Sequence, residues 1–88
     1  MTDVRDARRK RLYYRSTYTG TKETDVLLGG FAARHLTDLD DQQLADYEKL
    51  LEIDDPRLYK WATSQETPPP EYDTSVLRLI QAFELVTD

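Results

Sequence analysis

Cysteine is absent from the 88 residues, which excludes a disulfide framework, a thiolate metal site and a cysteine nucleophile. The chain fits a reducing compartment. His35 is the only histidine, so no second imidazole can join it at a zinc ion. A triad would need a nucleophile beside that same ring, and Ser16, Ser64 and Ser75 carry no motif signature. Glycine occurs three times, at 20, 29 and 30, and "TGTKET" misses the spacing of a phosphate-cradling loop. No apolar run approaches the roughly 20 residues of a membrane span, so no membrane insertion is expected. The first residues lack the apolar core of a secretory signal. Their arginines would suit a mitochondrial presequence, but Asp3 and Asp6 count against one, and the segment reads as part of the mature domain. No catalytic residue and no metal site emerge, and the chain does not read as an enzyme.

What is present is one small domain over residues 1–88, burying about 60–65% of its unfolded surface. Its net charge of −5 is unevenly spread. Residues 1–22 hold seven Lys and Arg against two Asp, a net +5; the remainder holds five against fifteen acids, a net −10. Such bipolarity suits an oriented encounter with a partner, or a basic helix lying along an acidic remainder.

Helical spacing recurs and strand-like alternation does not, so the fold class is all-α, a compact five-helix bundle. The first helix covers about Val4 to Tyr18 and is broken by Gly20. The second, about Lys22 to Leu36, bears Val26, Leu27, Leu28, Phe31, Ala32, Ala33 and Leu36. So wide an apolar arc implies a central helix packed on more than one side. Gly29 and Gly30 inside it cost about 1 kcal/mol each relative to alanine, which close approach of another backbone or a kink would explain. A third helix opens on Asp40 as N-cap, with Gln43 completing a capping box and Leu39 and Leu44 as hydrophobic staple. Leu44, Tyr47, Leu50 and Leu51 form its buried stripe. A fourth is capped by Asp55 with Pro56 at its first position, followed by Leu58, Tyr59, Trp61 and Ala62. "QETPPPEYD" reads as an extended, polyproline-like connector. The last helix spans about Thr74 to Val86, with Val76, Leu79, Ile80 and Phe83 on its apolar face.

The acidic pairs Asp40–Asp41 and Asp54–Asp55 stand at helix starts, where carboxylates favour the dipole. His35 reads as the polar end of the second helix. "ARRKRLYYRSTY" mixes cations and tyrosines in a way that could grip phosphates and stack on bases. The overall acidity, with a pI near 4.8, argues against nucleic acid. Gly20 and Glu23 admit two accounts. Gly20 can end the first helix or cap the second, with Glu23 as the carboxylate of a capping box. Alternatively the pair is an exposed contact surface, flat at the glycine and charged at its rim.

Residues 11–36, "RLYYRSTYTGTKETDVLLGGFAARHL", resemble the signature region of the succinate dehydrogenase flavinylation factors, the SdhE-type assembly factors. That family shows an arginine-glycine, two variable residues and a glutamate. An apolar "D-LLL--FA" run follows, matched here from Asp25 to Ala32. The resemblance continues through "LADYEKLLEIDDPRLYKWAT", residues 44–63, and "VLRLIQAF", residues 76–83. It implies a five-helix bundle acting as an assembly chaperone. Its partner would be the flavoprotein subunit of succinate dehydrogenase, with the fumarate reductase flavoprotein as a further client. It would promote covalent attachment of FAD to a histidine of that subunit, binding no cofactor stably itself.

By position, Gly20 and Glu23 match the motif glycine and glutamate. The motif arginine does not carry over, because Thr19 stands in its place. Arg15 or Lys22 is the candidate to supply the missing charge. Arg11 and Asp25, at the edges of the motif, complete the expected partner-binding set. A bacterial cytoplasmic home is expected from Met1 and the short length, with the mitochondrial matrix as the alternative. The competing readings are a small helical nucleic-acid-binding module and a generic protein–protein adaptor.

Overall fold

The computed structural model describes residues 4–53 and 55–86. Five helices follow one another: α1 (Val4–Ser16), α2 (Lys22–His35), α3 (Asp41–Leu51), α4 (Asp55–Ala62) and α5 (Ser75–Val86). Short 3-10 turns, Leu36–Asp38 and Pro70–Tyr72, lie between α2 and α3 and between α4 and α5. No strand occurs among the described residues, so the all-α five-helix reading holds.

Two layers share one core. α1 packs on α2 and α3, whereas α5 packs on α4, α3 and α2. Leu12, Leu28, Phe31, Leu44, Tyr47, Leu50, Leu58, Val76, Leu77 and Ile80 are all at most 2% exposed and fill the space between. α2 therefore does pack on more than one side. It leaves Val26 and Ala33 in solvent.

Local chemistry sets the helix boundaries. The Asp40 carboxylate accepts from the Gln43 N–H at 2.8 Å while the Gln43 amide oxygen accepts from the Asp40 N–H at 3.1 Å. That is the expected capping box, and Leu39 and Leu44 are both buried beside it. α4 includes Asp55, so Pro56 takes its second position rather than its first. Either position lies in the first turn, where a missing N–H has no intrahelical partner to lose. The Asp55 side chain, expected as the cap, lies outside the described residues, as does Asp54.

Three expectations are corrected by packing. The proline connector is not extended throughout: Pro69 keeps polyproline angles (φ −59°, ψ 154°), but Pro70 starts a 3-10 turn in which the Tyr72 N–H donates to the Pro69 carbonyl at 2.9 Å. That turn brings Tyr72 against Trp61, rings 5.3 Å apart. On α5, Leu77 is fully buried and Leu79 is 37% exposed, because the neighbours of α5 cover the arc 76–77–80. Finally, Gly29 and Gly30 accommodate side chains, not a backbone, and α2 runs unbroken through them. A Cβ would sit 3.3 Å from Thr17 Cγ2 at position 29 and 3.3 Å from the Phe83 ring at position 30.

Candidate docking site

The end of α1 is pinned from below. Ser16 donates its hydroxyl hydrogen to the Leu12 carbonyl at 2.7 Å and is hydrogen-bonded to the Tyr47 hydroxyl of α3, with both residues fully buried. Burial pushes the Tyr47 phenol far above its ordinary range, and the Ser16 bond only partly offsets this. Three charged side chains of α1 also reach across the bundle. Arg8 pairs with Glu48 at 3.2 Å. Arg9 donates to the Leu36 and Leu39 carbonyls at 3.1 and 3.0 Å, holding the turn between α2 and α3 against α1. Arg15 directs its guanidinium to the Leu51 carbonyl of α3 at 3.5 Å. The basic helix thus does lie along the remainder on one side, while Lys10 and Arg11 face solvent.

The chain then turns. α1 stops at Ser16, two residues earlier than the spacing predicts, and Tyr18 belongs to the loop. Gly20 has φ 121°, a left-handed-side conformation that L side chains rarely adopt. Its neighbour Thr21 is the N-cap of α2, with extended angles (φ −124°, ψ 152°) and its hydroxyl accepting from the Thr24 N–H. The capping-box account of Gly20 and Glu23 is therefore displaced. The glycine reverses the chain and a threonine caps it, because the cap position wants β-region angles and a side-chain oxygen. Glu23 becomes the second helical residue, exposed, with no hydrogen bond or ion pair among the described residues.

Thr19 and Asp25 close the loop. The Thr19 N–H and the Thr19 hydroxyl both donate to one Asp25 carboxylate oxygen, each at 2.6 Å. Those bonds, the hydroxyl first and the amide second, hold the Asp25 carboxyl below its ordinary range against a small opposing effect of desolvation. Thr24, buried beneath, accepts a 3.0 Å hydrogen bond from the Thr21 hydroxyl. The result is a tied turn that presents Gly20, Lys22 and Glu23 outward.

The expected residues thus divide. Gly20, Lys22, Glu23 and Arg11 are exposed; Thr19, Arg15 and Asp25 are half-buried and engaged within the chain. Of the two candidates for the missing motif charge, Arg15 is engaged with α3, and Lys22 has no partner among the described residues. Sequence reasoning missed how much apolar surface stands exposed on the segments flanking the loop. Tyr13, Tyr14, Tyr18 and Val26 are 45%, 65%, 70% and 67% exposed, and the Tyr14 and Tyr18 rings sit 4.8 Å apart. The signal was available: all three tyrosines lie off the Leu12–Ser16 face that enters the core. A pair of rings in contact with each other and open to solvent is the kind of apolar surface that interaction sites use. Among the described residues no group of His, Asp or Glu could hold a metal ion.

Residues 10–84 match the profile of the family described as flavinator of succinate dehydrogenase. The chain is 40% identical over 78 residues to succinate dehydrogenase assembly factor 2-A, mitochondrial, of Drosophila mojavensis, covering 86% of this chain and 50% of that protein. The corresponding factor 2 of Drosophila virilis is 41% identical over 76 residues, 84% and 48% of the two chains. That of Dictyostelium discoideum is 41% identical over 73 residues, 83% and 52%. The chain spans about half the length of the curated relatives it matches.

Proposed function

The chain belongs to the family described as flavinator of succinate dehydrogenase, and from that premise we propose that it is an assembly factor. It docks on the flavoprotein subunit of succinate dehydrogenase and promotes covalent attachment of FAD to that subunit. The observation that carries the docking mode is the tied turn at Gly20, with Glu23 unpartnered in solvent and Tyr14, Tyr18 and Val26 exposed on the segments that flank it.

Each part has a physical role. Gly20 removes side-chain bulk so that a partner backbone can approach closely. Glu23 offers a carboxylate for charge-assisted hydrogen bonds of about 2.7–2.9 Å. The tyrosines add rigid, amphipathic contact area, the kind that dominates interface energies. Lys22 supplies the positive charge beside them. No catalytic group is required of this chain. Holding the loaded subunit where its own reacting groups line up shortens the search for a reactive geometry, and proximity effects are large. The helper acts by binding that conformation more tightly than others. FAD stays with the partner, and the fumarate reductase flavoprotein is a second client of the same surface.

The mitochondrial names of the relatives support the matrix as compartment; a bacterial cytoplasmic home rests on the sequence reading alone. The decisive experiment compares cells with and without the gene. The flavoprotein band on a denaturing gel should be fluorescent from covalent flavin when the gene is present, and dark or faint when it is deleted. An equally bright band in the deletion overturns the reading.

A further inference from the structure

The far end of α2 gathers side chains that the docking loop does not use. Arg34 is exposed and makes no hydrogen bond or ion pair among the described residues. His35 stacks on Phe31 at 5.1 Å and meets the edge of Phe83 at 5.8 Å. Phe83 comes this near because residue 30 is glycine. Between α2 and α5 these groups enclose an open groove of about 420 Å³, lined by Arg34, His35, Leu79, Ala82 and Phe83. Leu79 is the one large exposed apolar side chain among the described residues that lies away from the loop.

The charge at this groove opposes that of its surroundings. Residues 23–88 hold fifteen acids and five Lys and Arg. Three of those five are engaged: Lys60 with Glu66 at 3.6 Å, Arg78 with Asp73 at 3.3 Å, and Lys49 over the Tyr72 ring at 5.0 Å. Arg34 is not. A cation with an apolar floor beside it complements a carboxylate that has an apolar neighbour.

Building on the docking reading above, we infer that the groove is a second contact point for the same flavoprotein and receives one of its acidic segments. The segment's carboxylate lies against Arg34, and an adjoining apolar side chain covers Leu79 and Phe83. Glu23 and Arg34 are eleven residues apart on one helix, about 17 Å along its axis. Loop and groove therefore fit within one interface of ordinary size, about 800 Å² on each side. Their opposite signs, acid at one end and cation at the other, fix which way round the partner lies.

The test titrates the chain with the isolated flavoprotein subunit, reading affinity by calorimetry and contact by amide NMR shifts. Arg34→Glu should weaken binding about tenfold or more and Leu79→Ser several-fold, with both variants still showing a cooperative melt. Amides at 34, 35, 79, 82 and 83 of the unaltered chain should shift when partner is added. If both variants bind like the unaltered chain while Glu23→Ala is weakened, the groove inference falls and the docking reading stands. If the unaltered chain does not bind the subunit at all, the docking reading fails first and the groove inference with it.

Discussion

Thr19 grips Asp25 twice, with its amide and its hydroxyl on the same carboxylate oxygen, each bond 2.6 Å long. The two residues bracket Gly20, Thr21, Lys22 and Glu23, so this pair sets the shape of the turn before any partner arrives. A loop held in its bound shape loses less conformational entropy on docking.

The clasp should be sensitive to acid. Asp25 has its carboxyl lowered below the ordinary 3.8 in the folded chain. Its contribution to stability is therefore complete above the unfolded value and is lost as pH falls through the folded one. The Thr19 amide resonance should follow a titration with a midpoint below 3.8. Asp25→Asn should abolish that titration and loosen the loop. A midpoint at or above the ordinary value would mean that the two bonds do not form in solution.

Glu23→Ala should separate docking from folding. The side chain lies in the first turn of α2 and has no partner among the described residues. Its loss should cost the fold only the dipole interaction of about 0.3–1 kcal/mol. Binding to the flavoprotein should weaken by about 2 kcal/mol or more, roughly thirtyfold. Thermal melts and calorimetry on the same samples distinguish the two. Unchanged affinity with a large drop in melting temperature would make Glu23 a purely structural residue.

Ser16 and Tyr47 should respond unequally to truncation. Tyr47→Phe removes one bond but leaves Ser16 still donating to the Leu12 carbonyl, a cost of about 0.5–1.5 kcal/mol. Ser16→Ala strands the Tyr47 hydroxyl in the core, where an unmet polar group costs about 1–3 kcal/mol. Denaturant melts should rank Ser16→Ala as the less stable variant.

The paired glycines should also differ. Thr17 keeps its side chain fixed by a 2.7 Å bond from its hydroxyl to the Tyr14 carbonyl, so a methyl at 29 meets an atom that resists moving. Gly29→Ala should be neutral or destabilising despite a helix-propensity gain of about 1 kcal/mol. Phe83 is a half-buried ring at the edge of an open groove and can yield. Gly30→Ala should therefore stabilise the chain by a fraction of that gain. Comparative thermal melts decide the order.

The elements whose instructions are local were legible in the sequence. Asp40 and Gln43 carry their whole signal within four residues, and the structure reproduces it bond for bond. The elements whose outcome depends on distant neighbours were not. Nothing near Leu77 and Leu79 says which of them α5 will bury, because α2, α3 and α4 decide that arc together. At the docking loop, three threonines and a glycine could each cap α2, and only the fold shows the glycine spent on the reversal and Thr21 on the cap. Thr19 was read as the place where a charge is missing. Its partner Asp25 gives it a role of its own, which no spacing rule exposes because the two bonds span the turn.

The sole tryptophan has an optical consequence. Trp61 is 3% exposed on α4, with Tyr72 of the proline turn against its ring. The tyrosines beside the docking loop stand in water instead. Indole emission from the isolated chain is thus a gauge of whether α4 and the proline turn are seated. An aqueous quencher reaches the exposed phenols of Tyr13, Tyr14 and Tyr18 but not the buried indole, so accessibility of the two chromophores separates encounter from integrity.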